Sequence, residues 1–95
     1  GVLSLQDSEL LGMDLQVYPN PSQGQAINVT YNAQDAPTSF TLRDTQGKVI
    51  SEEVIEATNA QVSQQLKNTE NLPAACYFLE VTSGDHSTTR KVVVL

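Results

Sequence analysis

The fold class of this chain is decided by one stretch, Phe40-Thr41-Leu42-Arg43-Asp44-Thr45-Gln46-Gly47-Lys48-Val49. Apolar and polar residues alternate from Phe40 to Arg43, which is the period of a strand with one buried face. The next four residues form a hairpin-type turn with glycine at its last position, and apolar residues return at Val49. The stretch therefore predicts two antiparallel strands joined by a tight turn.

The same alternation recurs on both sides of this hairpin, at intervals of roughly ten residues. The segments that show it are residues 15–18, 27–32, 62–66 and 77–82, and apolar or β-branched residues mark two further strands at 48–55 and 88–94. The densest turn cluster, Pro19-Asn20-Pro21-Ser22-Gln23-Gly24, separates the first two. About seven short strands without a helical period predict an all-β antiparallel sandwich or a small barrel. Proline and charge interrupt several strands, as is typical of edge strands, and this favours the sandwich.

Residues 1–14 show no lasting period and are interpreted as a linker, so the domain is expected to span residues 15–95. Within it, one segment is irregular. Residues 48–55 fit no single alternation, which predicts a bulge or two short strands at Glu52. The alternation of the other strands places five side chains in the core: Val29, Phe40, Leu42, Leu79 and Val81.

Length and charge exclude several classes of function. Ninety-five residues suffice for one domain. The net charge is −6 and the first cation is Arg43, which argues against nucleic acid and against anionic membrane surfaces. The longest apolar run covers four residues, against about 20 for a membrane span, so direct membrane insertion is not expected.

The sequence offers little for catalysis. His86 is the only histidine and follows a turn residue, so it is interpreted as solvated. Cys76 is the only cysteine and is interpreted as a small buried residue at the start of a strand. Glu52 and Glu53 point to opposite faces of a strand and cannot act as a pair. No enzyme, no cofactor and no metal site is predicted, and function is assigned to surface recognition.

Four segments together resemble the C-terminal sorting domain of cargo for the type IX secretion system of Bacteroidota. They are Val17-Tyr18-Pro19-Asn20-Pro21-Ser22-Gln23-Gly24, the hairpin of residues 40–49, Leu72-Pro73-Ala74-Ala75-Cys76-Tyr77-Phe78-Leu79-Glu80-Val81, and the final Lys91 to Leu95. They occur in the family's order across residues 17–95. The chain departs from the family at Ala75, where glycine is usual, and at Cys76, where an aliphatic residue is usual.

The resemblance implies an Ig-like sandwich of seven strands that acts as an export signal. It implies a structural or turn role for Tyr18, Pro19, Asn20, Pro21, Gly24, Asp44, Gly47 and Lys48. It implies partner recognition through Pro73, Ala75, Tyr77, Lys91, Val92, Val93, Val94 and Leu95. An apolar strand at the end of the chain, without guarding charge, is expected to offer a free edge to a partner sheet. One pair, Val92 with Val94 or Val93 with Leu95, is expected to face the core.

The implied partners are outer-membrane shuttle and translocon proteins and a surface sortase that removes the domain. The implied route runs through the periplasm to the cell surface or the medium. Two alternatives stay open: a retained Ig-like module that signals secretion state to an envelope sensor, and an adhesion or carbohydrate-binding module. A dimer, including one linked through Cys76, also stays open.

Overall fold

The computed structural model describes residues 13–33, 35–58 and 60–95. Seven strands follow one another without a helix in this part of the chain, and none of it could cross a membrane as a helix. The strands are β1 (Gln16–Tyr18), β2 (Asn28–Asn32), β3 (Thr38–Arg43), β4 (Val49–Ile55), β5 (Gln61–Gln65), β6 (Ala75–Ser83) and β7 (His86–Val94).

The strands form two antiparallel sheets, with the orders β1-β2-β5 and β4-β3-β6-β7. Neighbours in sequence pair as β1 with β2, β3 with β4 and β6 with β7. The chain passes from one sheet to the other after β2, β4 and β5. This arrangement confirms the predicted all-β, Ig-like sandwich of seven strands.

The core lies between the two sheets and contains residues from both. All five side chains that the alternation assigned to the core are buried. The rings of Tyr31 on β2 and Phe40 on β3 meet across the sandwich with centroids 5.3 Å apart and planes tilted by 53°. Tilted aromatic contacts of this kind stabilise a core beyond the area that they bury.

The buried core starts earlier in the chain than Leu15. Met13 is fully buried in the same cluster, and its carbonyl accepts a hydrogen bond from the Asn32 amide at 2.6 Å. Met13 belongs to the segment that was interpreted as a linker. The rest of that interpretation, for residues 1–12, lies outside the described residues.

The irregularity in β4 lies at Ile50, so its predicted position at Glu52 is wrong. Leu42 pairs with Ser51 whereas Arg43 pairs with Val49, which leaves Ile50 as the extra residue of a bulge. The bulge turns Val49 towards solvent and leaves Ile50 packed against the core. Because both residues are aliphatic, the sequence pattern does not distinguish them.

Glu53 connects the edges of the two sheets. Its carboxylate accepts a hydrogen bond from Gln64 Nε2 on β5 at 2.8 Å and one from the Lys67 amide at 3.2 Å. Glu52, its neighbour, is exposed. The two carboxylates thus lie on opposite faces of β4, as expected, and Glu53 helps to close the sandwich at this side.

Candidate functional site

The turn between β3 and β4 is built around one aspartate. Asp44 Oδ1 accepts hydrogen bonds from the amides of Gln46 and Lys48, both at 2.9 Å. The Gly47 amide donates to the Asp44 carbonyl at 3.0 Å, and Gly47 has a φ of 86°, a conformation that favours glycine. These contacts confirm the predicted turn. Arg43 pairs with Phe78, so the turn lies beside the first half of β6.

Residues 19–24, here called the proline loop, leave β1 and cross to the edge of β7. The side chain of Asn20 binds the backbone of β7 twice: Nδ2 donates to the Lys91 carbonyl at 2.9 Å, and Oδ1 accepts from the Val93 amide at 3.0 Å. The backbone of Ser22 binds it twice more, to the Val93 carbonyl and the Leu95 amide, both at 2.8 Å. The loop thus forms a short parallel bridge at Val94.

These four hydrogen bonds occupy the outer backbone edge of residues 91–95. The expectation of an unguarded edge is therefore wrong for this part of β7. The physical reason is that the edge groups of a last strand need partners, and a loop 71 residues away in sequence supplies them. A partner strand could add here only after displacing the proline loop.

The segment before β6 contacts the same loop. The Asn71 amide donates to the Gly24 carbonyl at 2.9 Å, and Gly24 has a φ of 99°. The Tyr77 hydroxyl donates to the Pro73 carbonyl at 2.7 Å and holds that segment in place. Together with the β3–β4 turn, all four segments that carry the family resemblance gather at one end of the four-stranded sheet.

Three of the residues expected to contact a partner are buried. Tyr77, Val92 and Val94 all lie in the core, so their side chains cannot touch a partner while the domain is folded. Alternation is the reason, because each shares its strand face with core residues. Of the two pairs considered for the inner face, the structure selects Val92 and Val94. Pro73, Ala75, Lys91 and Leu95 are exposed, and Val93 is half-buried.

Sequence reasoning missed a row of side chains on the outer face of the four-stranded sheet. Arg43 pairs with Val49 on one side and with Phe78 on the other, and Phe78 pairs with Lys91. Residues paired in this way point to the same face. We call Val49, Arg43, Phe78 and Lys91 the outer row. The sequence does contain a signal for this row, because alternation along β6 turns Phe78 to the face opposite Tyr77 and Leu79.

The outer row combines exposed apolar and cationic groups. Phe78 is 38% exposed and Val49 is 43% exposed. Arg43 forms an ion pair with Glu80 at 3.8 Å, and surface pairs of this kind contribute about 0–1 kcal/mol. The Lys91 ammonium has no ion pair within the part of the chain that the structure describes.

Shifted tyrosine pKa values lie elsewhere in the sandwich. Hydrogen bonds with the Ser63 and Thr30 hydroxyls lower the pKa of Tyr18, which is exposed on β1. Burial raises the pKa of Tyr31, and the nearby Glu53 carboxylate adds to that shift. Neither tyrosine belongs to the outer row, so neither pKa shift concerns a residue of that row.

Cys76 and His86 lie at opposite ends of the β6–β7 ladder. Cys76 pairs with Val93, whereas His86 pairs with Ser83. The two pairs are seven residue steps apart along β6, or roughly 24 Å at 3.4 Å per residue. The two side chains therefore cannot form a nucleophile–base pair. Cys76 is half-buried on the outer face beside Val93, less buried than expected.

No cluster suited to a metal ion occurs among residues 13–33, 35–58 and 60–95.

Asn20→Ala is expected to lower the free energy of unfolding by about 1–2 kcal/mol, because it removes two hydrogen bonds from the β7 edge. Asn20→Asp is the matched control. It keeps the acceptor for the Val93 amide but turns a carboxylate oxygen towards the Lys91 carbonyl oxygen, so we expect it to lose stability as well, which tests the bond that Asn20 Nδ2 donates. Urea titration followed by circular dichroism measures both, and equal stability of Asn20→Ala and the parent domain would contradict the assigned role.

Comparison with known proteins agrees with this geometry. A search of curated proteins finds no match. A family model described as "Secretion system C-terminal sorting domain" matches residues 16–95. The match covers all seven strands and contains all four segments gathered at the end of the sandwich. The chain therefore belongs to the family of C-terminal sorting domains of the type IX secretion system.

Proposed function

We propose that this domain is the export signal of an attached cargo protein, and that outer-membrane shuttle and translocon proteins bind it. On this proposal the cargo passes through the periplasm, and a sortase removes the domain at the cell surface. The family match supports the general role in secretion. The partners, the periplasmic step and the cleavage are our proposal.

The observation that carries the proposal is the meeting of the first and last motif segments. Asn20 and Ser22 bind the backbone of residues 91–95 directly. The segments that resemble the family's motifs therefore form one continuous surface, although they are far apart in sequence. Because that surface exists only when these segments are folded together, a partner that binds it can distinguish a folded sorting domain from an unfolded chain.

The residues proposed for recognition divide into two groups by burial. Pro73, Ala75, Lys91 and Leu95 are exposed, and half-buried Val93 lies beside them, so these are available for contact. Tyr77, Val92 and Val94 are positioning residues. Val92 and Val94 fix the inner face of β7, and Tyr77 holds the loop at Pro73 through its hydrogen bond.

We propose that the sortase cuts before Met13. Met13 is buried in the core and its carbonyl is bonded to Asn32, so a cut after it would remove a core residue. The preceding residues 1–12 contain two acidic side chains and no cation. Cleavage before Met13 frees the cargo and leaves the sandwich of the domain intact.

The test is delivery of a reporter. A periplasmic reporter fused in front of residues 1–95 is expressed in a host with type IX secretion and in an isogenic host without the translocon. We expect reporter at the cell surface or in the medium only in the first host. The same reporter without the domain is the control, and it should stay in the periplasm of both. Reporter that is retained in the competent host would refute the proposed function.

A further inference from the structure

We propose that the secretion partner docks on the outer row and not on the edge of β7, and that its docking surface is an acidic protein surface with an apolar centre. The inference rests on the proposed function, because it names the surface of the sorting domain to which the secretion partner binds. The outer row is Val49, Arg43, Phe78 and Lys91.

The first step is the closure of the edge. Backbone groups of Lys91, Val93 and Leu95 that face away from β6 are bonded to Asn20 and Ser22. Strand addition needs those groups to be free. What the end of β7 still offers to a partner is its outer face, where Lys91 and Val93 lie.

The second step is the apolar centre of that face. Phe78 stands between Arg43 and Lys91 and is 38% exposed. Val49 is 43% exposed at the end of the same row, and half-buried Val93 lies one row further along β7. Exposed aromatic side chains next to arginine are typical of the residues that dominate protein interfaces.

The third step is charge. The chain has 11 acidic and five basic residues, yet Arg43 and Lys91 flank Phe78 and Lys48 lies in the adjoining turn. Neighbouring strands are about 4.8 Å apart, so the backbones carrying Arg43 and Lys91 are separated by roughly 10 Å. A partner with carboxylates at a similar spacing around an aliphatic or aromatic side chain complements this row.

The row beside it restricts how such a partner can lie. Glu80 pairs with Thr41 on one side and Thr89 on the other, and Glu52 pairs with Thr41. This second row is acidic, so an acidic partner is attracted to the outer row and repelled by its neighbour. A flat anionic lipid surface would meet both rows at once, whereas a protein surface can place its carboxylates against the outer row alone.

The experiment compares outer-row variants with matched controls in the reporter assay. Phe78→Ser, Val49→Ser and Lys91→Glu alter the row. Val54→Ser is the control for Val49→Ser, because Val54 is also on β4 and 59% exposed but pairs with Ser39 at the far end of the face. Lys67→Glu is the control for Lys91→Glu, because Lys67 follows β5 of the other sheet.

We expect surface delivery to fall about tenfold or more for Phe78→Ser and Lys91→Glu, the loss typical of central interface residues, and to fall less for Val49→Ser at the end of the row. Domains with Val54→Ser or Lys67→Glu should be exported like the parent. Lys91→Arg keeps the positive charge and should also be exported like the parent. Circular dichroism of each purified domain must show the parent fold. A variant that unfolds is replaced by Phe78→Gln or Lys91→Gln at the same position.

Each other outcome argues against the proposal. Normal export of folded row variants would overturn docking on the outer row, while the exported parent fusion would still support the sorting function. Failure of the parent fusion itself would refute both. If light scattering shows a dimer that Lys91→Glu disrupts, the occupant is a second copy of this chain. If the parent, but not Lys91→Glu, binds phosphatidylglycerol vesicles, the occupant is a lipid.

Discussion

Phe40→Ala is expected to lower the free energy of unfolding by about 3–5 kcal/mol. Phe40 lies in the middle of β3 and is 1% exposed. Its ring contacts Tyr31 of the opposite sheet at 5.3 Å between centroids, so alanine leaves a cavity at the centre of the sandwich. A domain of this size is stable by only about 5–10 kcal/mol, and the substitution therefore removes a large share of its stability.

Phe78→Ala is the matched control for this prediction. It removes the same ring from the neighbouring strand β6, but from the outer face, where Phe78 is 38% exposed. We expect a loss of about 1–2 kcal/mol there, since a ring that is already partly exposed loses less transfer free energy and leaves no cavity. Thermal and urea unfolding measure both variants. If Phe40→Ala melts like the parent, the inward parity assigned to β3 is incorrect.

Strand positions and faces were predictable because alternation is a local property. Phe40 and Leu42 repeat every second residue, and a buried face requires that repeat. The bulge was misplaced for a related reason. Val49 and Ile50 are both aliphatic, and only the pairing of Val49 with Arg43 shows which of them faces solvent. Pairing between strands is not visible in one strand's sequence.

The burial of Met13 was missed because its burial depends on distant partners. No period leads up to it, and its contact is with Asn32, 19 residues later. The proline loop shows the same limit. Its turn residues are evident in sequence, but the hydrogen bonds of Asn20 to Lys91 and Val93 join segments more than 70 residues apart. The resemblance identified both segments without indicating that they touch.

The sandwich protects its four sheet edges by different means, and this favours the proposed docking on a face over strand addition. β1 has three residues, β4 carries the bulge at Ile50, and β5 presents Gln61, Ser63 and Gln65. The end of β7 is covered by the proline loop. Short strands, bulges, polar residues and covering loops all hinder the pairing of a further strand. The closed edges therefore support the proposal that a partner binds this domain mainly through its side chains.

Deleting residues 91–95 is expected to unfold the domain and to abolish export together. Val92 and Val94 belong to the core, and burial of a valine side chain is worth at least about 1.5 kcal/mol. The deletion also removes the strand pairs at Ala75, Cys76, Tyr77 and Phe78 and all four hydrogen bonds to the proline loop. These losses together approach the whole stability of a small domain.

The deletion alone therefore cannot separate recognition from folding, and Lys91→Glu is its necessary companion. That substitution leaves Val92, Val94 and the backbone contacts of the strand in place, so we expect circular dichroism like that of the parent and a loss of surface delivery. The domain without residues 91–95 should lose both the parent-like spectrum and surface delivery. A deleted domain that keeps the parent spectrum and cooperative melting would show that residues 91–95 are not part of the core, and export by that domain would show that a partner reads a surface elsewhere on the sandwich.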